Sequence, residues 1–154
     1  MTDILALLAR VEAATGPDRE LDAVIASQFR YHPYGSFHWL DRSPEAVYAP
    51  THSGWMGFTL PGEDTPRDTW RSLAYTSSLD ATVALVEKMR PGWFFTVSNF
   101  SSVIDERPWA DIASRKCINE EQGHEDQSYL GRGNTPVLAL LAALLRSMIE
   151  EEGR

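Results

Sequence analysis

The stretch ahead of the C-terminal apolar run combines two glycines with an arginine, a pattern that can bind an anion. Amides at a helix N-terminus carry a partial positive charge, and glycines allow an anion to approach the backbone. The Arg132 guanidinium can add a bidentate contact to a phosphate. No Walker-type lysine follows, so a nucleoside triphosphatase is not indicated. An ordinary loop, with Asn134 or Thr135 capping the helix, is the alternative. The candidate ligand-binding residues are Gly131, Arg132, Gly133, Asn134 and Thr135.

A second candidate site lies where aromatic side chains alternate with histidine and other residues. Such rings can stack a planar base, which is worth roughly 1–3 kcal/mol per base and needs no net positive charge. The alternative is that the rings fill the core from one face of a strand. Convergence of this set with the Arg132 stretch would favour a nucleotide-like ligand. The set comprises Tyr31, Tyr34, Phe37, His38 and Trp39.

Patterns for catalysis or metal binding are weak. No two of the four histidines have the four-residue helical spacing of a metalloprotease, and the single cysteine excludes a multi-cysteine zinc site. Cys117 has only His124 near it in sequence, and no serine lies in a Gly-x-Ser-x-Gly elbow. Asp105, Glu106 and Asp111 could form an acid–base pair, but turns carry such residues routinely. The sequence therefore predicts no catalytic residue, no cofactor and no metal.

Charge and composition restrict the classes of partner. The chain has 154 residues with 22 acidic and 14 basic side chains, for a formal net charge of -8. A long nucleic acid is disfavoured as a partner, because such binding depends on cations that neutralise phosphates. A single cysteine fits a reducing compartment, and no apolar run reaches the roughly 20 residues that span a bilayer. We expect a cytoplasmic protein without a membrane partner.

Apolar spacing predicts four helices. Two lie within residues 1–29, where Gly16 and Pro17 end the first and begin the second. A third follows Ser77, which we expect to be its N-cap, and ends before Pro91. The last spans residues 135–151 and is apolar nearly all round. Such a helix is either a central core helix or one that also packs against another subunit, so we expect a homo-oligomer formed through it.

The remaining segments predict short strands and loops. Strands are expected at 37–40, 46–48, 55–60, 93–100 and 109–118, with an exposed loop at 61–68. The order is roughly α-α-β(β)-α-β-β-α, an α+β fold with helices packed on a small, mostly antiparallel sheet. We expect a single domain over residues 1–154. Its segments are a helical hairpin (1–29), an aromatic-rich strand and loop segment (30–74), a helix with two strands (75–118), a loop (119–134) and the C-terminal helix (135–151).

Three segments together resemble a family of small bacteriophage and prophage proteins with a phage ABA-sandwich-like domain. They are residues 7–25 (LLARVEAATGPDRELDAVI), 75–86 followed by 91–93 (YTSSLDATVALV, then PGW) and 135–146 (TPVLALLAALLR). The resemblance covers about a third of the chain and rests largely on helix caps and core positions. The segment 31–68 is longer and more aromatic than the family pattern.

The resemblance implies a phage-encoded accessory protein acting in the host cytosol, with no family catalytic residues to carry over. Small phage proteins of this kind often counter host immunity, some as oligomeric sponges that bind a nucleotide signal without cleaving it. The sequence-based hypothesis is therefore a non-enzymatic protein that sequesters a small nucleotide immune signal. Two alternatives stay open, namely an acidic inhibitor or adaptor of a host protein and a small hydrolase of such a signal.

Overall fold

The computed structural model describes residues 3–29, 47–52, 54–65, 67–99, 107–114 and 127–153. Within these ranges there are four helices and two three-stranded antiparallel sheets, ordered β1-β2-β3 and β4-β5-β6, so the predicted α+β class is confirmed. No helix in them is long and apolar enough to cross a bilayer. The elements are α1 (Ile4–Ala13), α2 (Arg19–Phe29), β1 (Val47–His52), β2 (Trp55–Thr59), β3 (Arg67–Arg71), α3 (Leu79–Met89), β4 (Phe94–Ser98), β5 (Trp109–Ala113), β6 (Ser128–Arg132) and α4 (Pro136–Glu152).

The chain divides into two compact units. The first is built from Asp18–Ala74 and contains α2 with the first sheet. The second combines Asp3–Pro17 with Tyr75–Arg154, and it contains α1, α3, α4 and the second sheet. The two N-terminal helices predicted as a hairpin therefore belong to different units. The prediction of one domain over residues 1–154 remains a prediction.

In the first unit, Arg19 connects the start of α2 to residues that flank the strands of the first sheet. Its guanidinium donates to the Asp22 carboxylate at 2.6 Å and to the Ser72 carbonyl at 2.8 Å. The Asp22 side chain is fully buried, and a buried carboxylate needs paired and hydrogen-bonded surroundings, to which Arg19 contributes. Gly54 has a φ of 74° and donates its N–H to the Arg19 carbonyl at 2.9 Å. A side chain at Gly54 would both strain the backbone and place a Cβ 2.8 Å from the Arg19 Nε atom.

In the second unit, α4 is the central helix of the core. Every residue from Leu138 to Leu145 is at most 1% exposed. The second sheet, α1 and α3 all pack against this helix. Its apolar circumference is thus covered within one protomer, as the central-core alternative requires, and no second subunit is needed to explain it. A homo-oligomer through α4 stays a prediction.

Two strands overlap segments that the sequence predicts to be loops, one of them only at its start. Strand β3 begins inside the predicted loop 61–68, and β6 lies inside the predicted loop 119–134, of which residues 119–126 are outside the described residues. Their sequences, RDTWR and SYLGR, contain few β-branched residues and little alternation. Each is held by antiparallel pairing with its neighbour, β2 or β5. Tertiary pairing therefore decides these strands, against weak local preference.

Arg90 connects the end of α3 to α4. Its Nε donates to the Ser147 hydroxyl at 3.1 Å, and its Nη2 lies 2.8 Å from the Glu151 carboxylate. The guanidinium also lies over the Trp93 ring, 5.2 Å from its centroid. Trp93 in turn stacks on Tyr129, with ring centroids 6.0 Å apart and 14° between planes. These contacts hold the residue that directly precedes β4.

Candidate binding surface on the second sheet

The glycines of the predicted anion stretch serve close packing of the second sheet on α4. Gly131 belongs to β6, and a Cβ added to it would lie 2.2 Å from both the Ala139 carbonyl oxygen and the Ala143 amide nitrogen. A Cβ at Gly133 would lie 2.7 Å from the Ala139 nitrogen. Only glycine permits this distance between strand and helix backbones. The loop predicted at these positions is corrected to a strand, with Gly133 directly after it.

The polar groups of the same stretch are engaged in contacts within the second unit. The Gly133 N–H donates to the Pro108 carbonyl at 3.3 Å, and the Asn134 side-chain amide donates to the Ala14 carbonyl at 2.7 Å. The Thr135 hydroxyl accepts from the Leu138 N–H at 3.2 Å and is the N-cap of α4. Pro136 has no N–H to offer. The start of α4 is therefore capped by its own chain, as the alternative interpretation of this stretch proposed.

The predicted aromatic set belongs to a part of the chain that is outside the described residues. Tyr31, Tyr34, Phe37, His38 and Trp39 lie outside the described residues, and so does their convergence with Arg132. Among the residues that are described, no group of three or more His, Cys, Asp or Glu side chains could hold a metal ion. Also outside the described residues lie Asp105, Glu106, Cys117 and His124.

Arg132 lies on the sheet face that points away from α4, called the outer face below. Gly131 faces α4, and because side chains alternate along a strand, Leu130 and Arg132 point to the opposite side. Antiparallel pairing aligns each of these residues with one residue on β5, and each of those with one on β4. The three cross-strand rows of the outer face are Phe94–Ala113–Ser128, Thr96–Asp111–Leu130 and Ser98–Trp109–Arg132.

The outer face exposes large apolar side chains. Phe94 is 49% exposed and Leu130 is 45% exposed, while Trp109 and Arg132 are partly buried. Trp109 and Arg132 are direct cross-strand partners. Aromatic residues and arginine are enriched at the centres of protein interfaces, whereas scattered apolar residues on a surface need no explanation. Here they share one sheet face, with Leu130, Trp109 and Arg132 grouped on β5 and β6 and Phe94 on the opposite edge strand, which makes this face the candidate binding surface.

Sequence reasoning identified Arg132 but missed its neighbours on this face. In the structure, Trp109, Asp111 and Ala113 alternate with buried Ala110 and Ile112 along β5. The sequence does not show this alternation, because Asp111 is the only polar residue of the strand. Its continuation onto β6 depends in addition on the pairing between β5 and β6.

Comparison of the chain with protein-family models, with curated proteins and with solved structures finds no match. The function is therefore argued from the outer face and its chemistry.

Proposed function

We propose that this chain is a non-enzymatic binding protein that engages another protein through the outer face of its second sheet. The observation that carries this proposal is the pair of half-exposed apolar side chains, Phe94 and Leu130, on a face that also holds Trp109 and Arg132. Full burial of a large apolar side chain is worth roughly 1.5–3 kcal/mol, and because both side chains are already about half buried, covering each of them contributes about half of that.

The chemistry of the face supports a protein partner. Asp111 lies at its centre, between Thr96 and Leu130, so the face offers hydrogen-bond acceptors as well as apolar contact. The chain as a whole has a net charge of -8, which attracts a basic partner and repels a polyanion. Protein interfaces that form between separately folded chains likewise mix apolar contacts with hydrogen bonds. We infer an acidic inhibitor or adaptor acting on a partner with a basic rim.

The setting of this function is proposed from the family resemblance. A phage-encoded accessory protein that meets host defence proteins in the host cytosol fits an acidic chain with an apolar binding face. The resemblance supplies the source and the cellular context, and the outer face supplies the mode of binding. A fold-level likeness alone would not establish either.

Replacing Leu130 by aspartate is expected to abolish partner binding without unfolding the protein. Tagged wild-type protein and the Leu130→Asp variant are incubated with a bacterial lysate, and captured proteins are identified by mass spectrometry. Leu5→Asp is the matched control, because Leu5 is a 60% exposed leucine that belongs to α1 and not to the second sheet. We expect wild type and Leu5→Asp to capture the same partner and Leu130→Asp to lose it. Equal capture by all three proteins contradicts a role of the outer face.

Sequestration of a small nucleotide signal is the second candidate function. The observation that favours it is the direct pairing of Trp109 with Arg132, since a base can stack on an indole while a guanidinium contacts a phosphate. In a thermal-shift experiment with cyclic dinucleotides, ligand at 100 times its Kd stabilises a protein by about 2.7 kcal/mol. We expect a clear rise in Tm for wild type, a smaller rise for Arg132→Gln, and recovery of intact ligand. An unchanged Tm argues against sequestration, and cleaved ligand indicates a hydrolase instead.

A further inference from the structure

The centre of the outer face holds one carboxylate among mostly apolar side chains. Asp111 is the middle residue of β5 and lies between Thr96 and Leu130 in its cross-strand row. Its neighbours along β5 on the same face are Trp109 and Ala113. Asp111 is half-buried, whereas Thr96 and Leu130 are exposed. A partner that covers this face therefore also covers the Asp111 carboxylate.

The Asp111 carboxylate has no partner of its own within the described ranges. No hydrogen bond or ion pair of this side chain is found among those residues. In the free protein, solvent reaches the half-buried side chain. A partner that removes this solvent has to replace it, because a charge that loses its hydration without gaining a counter-charge opposes binding. The partner must therefore bring a cation to Asp111.

Small side chains next to Asp111 leave room for a long cationic side chain. In the neighbouring cross-strand row, Ala113 and Ser128 are small, while Phe94 at the end of the row is large. Phe94 is 49% exposed and Ser128 is exposed, so this row can be reached from solvent. Arg132 belongs to the row on the other side of Asp111. A cation that lies over Ala113 therefore meets Asp111 from the side opposite to the Arg132 position.

We propose that the partner places an arginine side chain over Ala113, where its guanidinium pairs with the Asp111 carboxylate. This inference rests on the proposed function, because it concerns a protein that binds the outer face. An arginine suits the position better than a lysine does. Its planar guanidinium donates two parallel hydrogen bonds to a carboxylate and is more weakly hydrated than an ammonium. It also stacks on aromatic rings, and Phe94 is the cross-strand partner of Ala113.

The pairing with Asp111 determines which partners bind. A partner with only apolar groups at this position buries the carboxylate unpaired, and a partner with an acidic group there adds repulsion. The exposed side chains of Phe94 and Leu130 supply affinity but select less among apolar partners. The net charge of -8 acts at longer range and speeds the encounter with basic partners. Asp111 is therefore the specificity-determining residue of the face, and it acts after the encounter.

Selection from a ribosome-displayed library of random peptides tests the proposal. The library is selected on immobilised wild-type protein and, separately, on Leu130→Asp. We expect the peptides that are enriched on wild type but not on Leu130→Asp to share an arginine next to apolar residues. Enriched peptides without a shared arginine overturn this inference and leave the proposed function intact. Selection that gives no difference between wild type and Leu130→Asp contradicts both.

Binding kinetics of one selected peptide isolate the ion pair. The peptide is synthesised with its arginine and, in a second version, with citrulline, which has nearly the same shape but no charge. Wild type should bind the citrulline peptide at least about tenfold more weakly, mainly through faster dissociation. Asp111→Asn should bind the two peptides about equally, because the coupling requires both charges. An Asp111→Asn variant that keeps the preference for arginine overturns the proposal.

Glu87→Gln is the matched control for the charge. Glu87 is an exposed residue of α3, and its substitution removes one negative charge, as Asp111→Asn does. We expect Glu87→Gln to keep the preference for arginine over citrulline. Equal loss of the preference in Glu87→Gln and Asp111→Asn would mean that only net charge matters, which contradicts a pairing at Asp111. Circular dichroism and Tm of both variants, compared with wild type, show that each is folded.

Discussion

Replacing Gly131 by alanine is expected to lower the free energy of unfolding by about 3 kcal/mol, at the upper end of the usual cost of overpacking a core. The added methyl carbon would lie 2.2 Å from the Ala139 carbonyl oxygen and 2.2 Å from the Ala143 nitrogen. Both atoms belong to the backbone of α4, so they cannot rotate away as a side chain can. The sheet and the central helix would have to separate. Denaturation in urea, followed by circular dichroism, measures the change.

Gly16→Ala is the control for the Gly131 substitution. A Cβ at Gly16 meets no atom within 4 Å, and its φ is not in the left-handed region. We expect its stability to stay within about 0.5 kcal/mol of wild type, or to rise slightly through a less flexible unfolded chain. If Gly131→Ala is as stable as Gly16→Ala, close packing does not require Gly131. Anion binding would then again be an explanation for the glycines of this stretch.

Replacing Asp22 by alanine is expected to destabilise the first unit by about 3 kcal/mol. The Asp22 side chain is fully buried and accepts a hydrogen bond of 2.6 Å from the Arg19 guanidinium. Breaking a buried ion pair costs about 3–5 kcal/mol, and the lower end applies because the Arg19 side chain keeps 28% of its exposure. The same guanidinium donates a hydrogen bond to the Ser72 carbonyl. Without Asp22 to position this guanidinium, α2 should pack less stably on the first sheet. Hydrogen exchange of amides in α2 and β2 reports that loosening.

An ion pair in the second unit provides the control for Asp22. Glu12 and Arg146 pair at 2.7 Å, with side chains that are 31% and 47% exposed. Removing such a surface pair by Glu12→Ala should cost no more than about 1 kcal/mol. Comparable stability losses for Asp22→Ala and Glu12→Ala would show that burial of the Asp22 carboxylate contributes nothing.

The helices could be predicted because their signals are local. Gly16 and Pro17 separate α1 from α2, and the apolar spacing of α4 together with Thr135 gives its start correctly. The N-cap of α3 shows the limit of such reasoning. The sequence predicts Ser77 as the N-cap. In the structure the Ser78 hydroxyl accepts the capping hydrogen bond from the Ala81 N–H, at 3.2 Å. Two adjacent serines offer the same group, and only the path of the backbone selects between them.

The strand β6 could not be predicted because its cause is not local. Gly131 lowers strand preference, and in the sequence it indicates a turn or a loop. In the fold it is the residue that allows the strand to reach the backbone of α4. The candidate surface was missed for the same reason. Leu130 and Arg132 join Trp109 on one face only when β6 is paired with β5.

The packing of α1 on α4 has a consequence for how the protein is made. Glu12 and Arg146 are 134 residues apart in the chain, yet they form one ion pair. At about 5–20 residues per second, a ribosome needs roughly 7–27 s to synthesise the stretch between them. Until then α1 cannot pack on α4, whereas the sequence of Asp18–Ala74 is finished well before Arg146 is added. The contact between α1 and α4 that belongs to the second unit therefore forms late in synthesis, after the sequence of the first unit has been made.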